Sequence, residues 1–202
     1  MDEKILNIKR RVKRELDKER YQHTLGVAYT ASCLAMRYGS NIEDAYIAGL
    51  LHDCAKCIPN EDKFEICKKY DIKISQYEKE NPSLLHAKIG AFLAEKRYGI
   101  SDKDILNAIR SHTTGMPGMS LLQKIIFVAD YMEPNRTEAP DLPQVREQAF
   151  VDLDKTICII LSDTLKYLEK KGAKIDPMTS ETYEYYDVRV KRSQKTCLHG
   201  FL

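Results

Sequence analysis

The chain lacks any apolar run near the roughly 20 residues that a membrane span requires. Its charged opening, MDEKILNIKRRVKREL, also lacks the hydrophobic region of a signal peptide. A cytoplasmic protein is therefore expected. An excess of charge is missing as well, since 32 Lys and Arg stand against 30 Asp and Glu for a net +2. That balance argues against a dedicated nucleic-acid coat or a membrane-surface protein, so an anionic substrate has to meet a local basic cluster. No strand pair, internal repeat or low-complexity segment is visible. The six cysteines, Cys33, Cys54, Cys57, Cys67, Cys158 and Cys197, come with no export signal and read as reduced thiols. Cys54 and Cys57 form a C-x-x-C pair, but a zinc site would want a second close pair and a thioredoxin-like motif a βαβ pattern. Neither is present.

What the chain does have is helical periodicity. At 202 residues and 43% hydrophobic it can bury one substantial core. Ile5, Ile8, Val12 and Leu16 mark an amphipathic helix over 3–18 with one buried stripe. Leu25, Ala28, Ala31, Leu34 and Ala35 mark a second, from Arg20 to Tyr38, stopped by Gly39. Ser40 and Glu43 fit a capping box opening a helix that is apolar nearly all round and ends at His52 and Asp53. Residues 60–80 read as a short surface helix and a loop. Pro82 then introduces a helix with His86, Gly90 and Ala94 on one face, Ser101 and Asp104 a cap signal for a helix reaching His112, and Ser120 the helix LLQKIIFVADYM. Pro134 and Pro140 break the chain before one or two helices over 142–171. The expected architecture is all-α, one domain over residues 1–174 with its core at about 18–170, followed by a polar, tyrosine-rich extension over 175–202.

Chemistry concentrates in that apolar background. His23, His52, His86 and His112 each fall on a separate helix, and Asp130 is the only acid in its helix. Taken singly, each histidine reads as an ordinary core residue bonded to backbone. Taken together with Asp53 and Asp130 they do not. A lone carboxylate amid Ile, Phe, Val and Ala would be driven neutral by desolvation, and a cation removes that problem. A mixed set of imidazole and carboxylate donors suits first-row transition ions better than calcium or magnesium, and it is too numerous for one tetrahedral zinc. Two ions fit better than one.

The order His23, His52-Asp53, His86, His112, Asp130 resembles the HD-domain metal phosphohydrolases, an all-helical superfamily named for its His-Asp pair. Within it the blocks HDCAK (52–56), HAKIG (86–90), HTTG (112–115) and ADYMEPNR (129–136) look like the bacterial symmetrical diadenosine tetraphosphate hydrolases, the bis(5'-nucleosyl)-tetraphosphatases. The resemblance implies an HD-domain helical bundle in which His23, His52, Asp53 and Asp130 hold one divalent transition metal and His86 and His112 a second, with Asp53 bridging. It implies iron, with manganese or cobalt as substitutes. It further implies a metal-dependent hydrolase that cleaves a dinucleoside polyphosphate symmetrically to two ADP through a metal-activated hydroxide, and a homodimer.

Asp53 and Lys56 are then the expected catalytic residues. Lys56, Arg136, Thr113, Thr114 and Gly115 are expected to bind the polyphosphate, with Arg110 and Arg146 as weaker candidates; Tyr131, Tyr183, Tyr185 or Tyr186 could stack on a base. Two other readings compete. One is a different HD-type nucleotide phosphohydrolase or phosphodiesterase, because surrounding loops set the substrate. The other is a non-catalytic helical scaffold that keeps a metal for stability.

Overall fold

Two short polar residues set the first long helix. Asp17 accepts a hydrogen bond from the Arg20 amide, and Gly39, at φ +70°, closes the other end by donating to Ala35. The computed structural model describes residues 3–199, with side chains through Ser193, so Cys197 lies outside the described side chains. Among the described residues there are eleven α-helices and no strand. α1 (Glu3–Glu15) lays Ile5, Ile8 and Val12 on the bundle, and α2 (Lys18–Tyr38) begins at once behind it. The amphipathic segment expected over 3–18 therefore breaks three residues early, because Asp17 caps the next helix.

α3 (Ile42–Leu51) is the centre of the molecule, with every residue from Ala45 to Leu51 buried. Its cap is Asn41, which accepts from the Glu43 and Asp44 amides, and not the expected Ser40. The same one-residue shift occurs at α7 (Lys103–Ser111), where Asp102 caps in place of Ser101. α4 (Asn60–Lys69) and the short α5 (Gln76–Glu80) cover one side, and a 3-10 turn at Pro82–Leu84 leads into α6 (Leu85–Tyr98). α8 (Leu121–Met132) opens on a complete capping box between Ser120 and Gln123. The breakers beyond it separate α9 (Leu142–Gln148) from α10 (Leu153–Lys170).

The segment expected as an extension is mostly one helix, α11 (Pro177–His199), packed along α10. Tyr186 on α11 is fully buried, and its hydroxyl accepts from the Met119 amide at 3.1 Å. A base-stacking role for Tyr186 is therefore withdrawn: its ring is core, and it already has an edge partner in Tyr185. No helix of the described residues is long and apolar enough to cross a membrane.

Candidate metal centre

The end of α3 explains why adjacent residues can share one centre. Beyond Leu51 the chain leaves α geometry for tight i to i−3 bonds, Cys54 N to Leu51 O at 3.2 Å and Lys56 N to Asp53 O at 2.9 Å. Consecutive side chains therefore stop diverging by a regular 100° and converge past the helix end. His52 and Asp53 lie there, 0% and 2% exposed. α7 presents His112 at its C-terminal cap, directly after Ser111. His86 enters from the first turn of α6, and His23 and Asp130 come from the long helices α2 and α8.

The six residues named from the sequence meet in one place. His23 Nε2 and His52 Nε2 are 3.3 Å apart, and His86 Nε2 and His112 Nε2 are 3.1 Å apart. Asp130 Oδ1 lies 3.0 Å from His23 Nε2 and 3.8 Å from His52 Nε2. Asp53 stands between the pairs. Its Oδ2 faces His52 at 3.5 Å and His23 at 3.9 Å, and its Oδ1 faces His86 at 3.1 Å and His112 at 3.6 Å.

Tautomers follow from the outer nitrogens. His52 Nδ1 donates to the Gly49 carbonyl and His112 Nδ1 to the Ile109 carbonyl, each at 2.7 Å, and His86 Nδ1 donates to the Ser83 carbonyl. A carbonyl can only accept, so each Nδ1 must carry the proton and each neutral ring turns a bare Nε2 lone pair inward. At the ends of α3 and α7 this also occupies carbonyls that the helix termini leave unpaired.

Lone pairs facing lone pairs and a carboxylate at these distances repel unless a positive charge lies among them. Asp53 Oδ1 is buried without a hydrogen-bond partner, an expensive state for a carboxylate oxygen. A cation bonded at about 2.1 Å to several such donors spaces them by about 3.0 to 3.4 Å in octahedral or tetrahedral geometry. Most of the observed separations fall in or near that range, so the donor set fits a divalent metal centre. Among the described residues, two groups of donors lie within common reach, His23, His52, Asp130 and His52, Asp53, His112.

The electrostatics show the same demand for positive charge beside the carboxylates. Burial works to raise the Asp53 carboxyl, yet His52, His112 and His86 outweigh it and hold that group well below its ordinary value. Asp130 is likewise depressed despite desolvation, chiefly by the His23 ring beside it. Burial pushes His86 down to about 4, so at neutral pH its ring is uncharged and free to ligate. Desolvation also works against charge on His52, but Asp53 and Asp130 reverse it and raise that group.

The cationic candidates divide. Lys56 points its ammonium at His86 Nε2, 3.3 Å away, with Asp53 Oδ1 at 3.9 Å. Arg136 pairs with Asp130 Oδ1 at 3.2 Å, and its side chain is 43% exposed. Arg146 spends its guanidinium on the carbonyls of Met132, Glu133 and Arg136, so it clamps the loop after α8 and has no fork left for phosphate. Thr113 places its hydroxyl 3.2 Å from His112 Nε2 and 3.4 Å from His86 Nε2. Thr114 and Gly115 follow it. Gly115 is at φ +65°, and a Cβ there would meet Thr182 at 2.8 Å. Arg110 sits apart, on a cavity of about 300 Å³ shared with Lys88, Thr113 and Thr114.

Two residues escaped the sequence reading. Arg20 reaches Asp53 Oδ2 at 2.9 Å and lines, with His23, Asn135 and Arg136, a cavity of about 620 Å³ against the centre. Glu133, 1% exposed, lies 3.1 Å from His23 Nδ1. Its place in the ADYMEPNR block was the available signal. Tyr131 lines a third cavity, of about 110 Å³, together with His112, Thr113, Asp130 and Arg136.

Comparison with known proteins accords with this geometry. The HD domain family matches residues 20–135. The symmetrical bis(5'-nucleosyl)-tetraphosphatase of Bacillus subtilis is 42% identical over 174 residues, 86% of this chain and 92% of that protein. Its Staphylococcus aureus counterpart is 36% identical over 91% of this chain and 96% of its own. A Clostridium acetobutylicum crystal structure, described as a predicted HD superfamily hydrolase involved in NAD metabolism, superposes with a TM-score of 0.87 at 42% identity, covering 91% of this chain and 96% of the other. The centre, the fold and these likenesses agree: the chain belongs to the HD domain family, in the branch of the symmetrical bis(5'-nucleosyl)-tetraphosphatases.

Proposed function

We propose that the protein is a cytoplasmic, metal-dependent hydrolase that cleaves diadenosine tetraphosphate symmetrically into two ADP. The observation that carries this reading is Asp53, buried and split between two histidine pairs, with cationic side chains on both sides of it. Two divalent ions bound there, iron by the family resemblance with manganese or cobalt as substitutes, would activate a water and offset phosphoryl charge. Asp53 would serve both, and His23, His52 and Asp130 would hold one while His86 and His112 hold the other.

The chain's own groups handle the rest. Lys56, beside His86, and Arg136, beside Asp130, flank the centre and supply positive charge to the leaving diphosphate. Arg20 adds a third cation, a second guanidinium in the same cavity as Arg136. Thr113, at the junction of the cavities on the other side, offers a hydroxyl to the phosphoryl chain. No side chain needs to form a covalent intermediate.

Incubation of the metal-loaded protein with diadenosine tetraphosphate is expected to give ADP as the sole nucleotide product. AMP plus ATP would contradict symmetrical cleavage, and preference for a cyclic nucleotide in a substrate panel would favour a different HD-type activity. Arg136→Ala is expected to raise KM about 10- to 100-fold, the worth of one charge-assisted hydrogen bond, while metal content stays intact. Loss of metal in that variant would move Arg136 from substrate binding to support of Asp130.

A further inference from the structure

We propose that Glu133 is a positioning residue of the centre: its buried carboxylate orients the His23 ring and ties that histidine to the turn that presents Arg136. The proposal rests on the metal-centre reading above. His23 is unlike the other three histidines. They stand at or near helix ends, where a nearby carbonyl accepts from Nδ1, whereas His23 lies within α2, whose carbonyls are committed to the helix. It needs an acceptor from elsewhere, and Glu133 Oε1 provides one at 3.1 Å, from 110 residues away in the sequence.

Every part of the Glu133 surroundings is built for that carboxylate. Oε2 accepts from the Asn135 backbone amide at 2.8 Å and from its side-chain amide at 2.9 Å, which offsets the cost of burying the charge. The Glu133 carbonyl accepts from the Arg136 amide at 3.0 Å and from Arg146 at 3.0 Å. Gly26, three residues along α2 from His23, leaves the room, since a Cβ there would lie 2.1 Å from Oε2. A carboxylate acceptor holds the ring in one orientation with Nδ1 protonated, and it makes Nε2 a stronger donor to a metal than a carbonyl acceptor would. One residue therefore couples a metal ligand on α2 to the phosphate-facing turn after α8.

The test uses the full-length apo protein, with manganese binding followed by competition against a chelating dye. Glu133→Gln, which keeps the shape and removes the charge, is expected to weaken one of the two manganese ions about 10- to 100-fold and leave the other within about twofold. Gly26→Ala, which displaces the carboxylate without altering it, is expected to weaken the same ion. Equal manganese affinity in wild type and Glu133→Gln would overturn the proposal, as would equal affinity in wild type and Gly26→Ala. A wild type that binds no manganese would instead overturn the centre itself.

Discussion

Asp53→Ala is expected to lower turnover of diadenosine tetraphosphate by about 10³-fold or more and to reduce bound metal, while the protein stays folded. The magnitude follows from the charge removed. A metal clamp supplies several kcal/mol of stabilisation to the transition state, and each 1.36 kcal/mol is a factor of ten in rate. In the proposed centre Asp53 is the one side chain within 4 Å of both histidine pairs through different oxygens, Oδ2 toward His23 and His52 and Oδ1 toward His86 and His112. The ring nitrogens left behind are neutral donors and cannot replace its charge. Asp53→Asn keeps one oxygen and should fall between the wild type and the alanine variant. Product formation and elemental analysis on the same preparations check both statements, and an alanine variant with the original rate and metal content would refute the role given to this residue.

Gly49→Ala is expected to have the largest effect on stability. Helix propensity alone would favour alanine in α3 by up to about 1 kcal/mol. Packing opposes it. A Cβ at position 49 would lie 2.6 Å from the Ala28 Cα and 3.0 Å from its amide nitrogen, and both are backbone of α2 that no side-chain rotation can move aside. Overpacking of this kind costs about 1–3 kcal/mol and more when backbone must shift. We expect a net loss of about 2 kcal/mol, or a fall in Tm of roughly 4–8 °C for a chain of this size. Gly90→Ala is the control, because its Cβ would meet nothing nearer than the Ile109 methyl at 3.4 Å. Thermal unfolding by circular dichroism should separate the two substitutions, and a Gly49 variant as stable as the wild type would show that α2 and α3 are not pressed together here. The α2–α3 spacing also sets the site, since His23 lies on α2 and His52 bonds to the carbonyl of Gly49 itself.

The helices were legible because their apolar spacing and stop signals are local. Gly39 closes α2 and Ser120 opens α8 where the sequence indicates. The caps of α3 and α7 each moved by one residue, because Ser40–Asn41 and Ser101–Asp102 both offer adjacent capping side chains and only backbone geometry chooses between them. The cluster of six was legible for a different reason: buried titratable groups in apolar helices demand partners, and their order matches a family pattern. Local spacing could not place Arg20 or Glu133. Each looks like an ordinary charged residue until folding sets it against a site residue 33 or 110 positions away. Arg146 failed in the opposite direction, since a free guanidinium and one folded onto three carbonyls read alike in the sequence. For Tyr186 the sequence left base stacking and core packing equally open, and α11 presses it into the core.

The most direct measurement is a crystal structure of the manganese-loaded protein with anomalous scattering at the manganese edge. Two peaks are expected, one among His23, His52 and Asp130 and one beside His86 and His112, with the Asp53 carboxylate between them. No anomalous density among these six side chains, or a single ion that leaves one histidine pair without metal, would contradict the account.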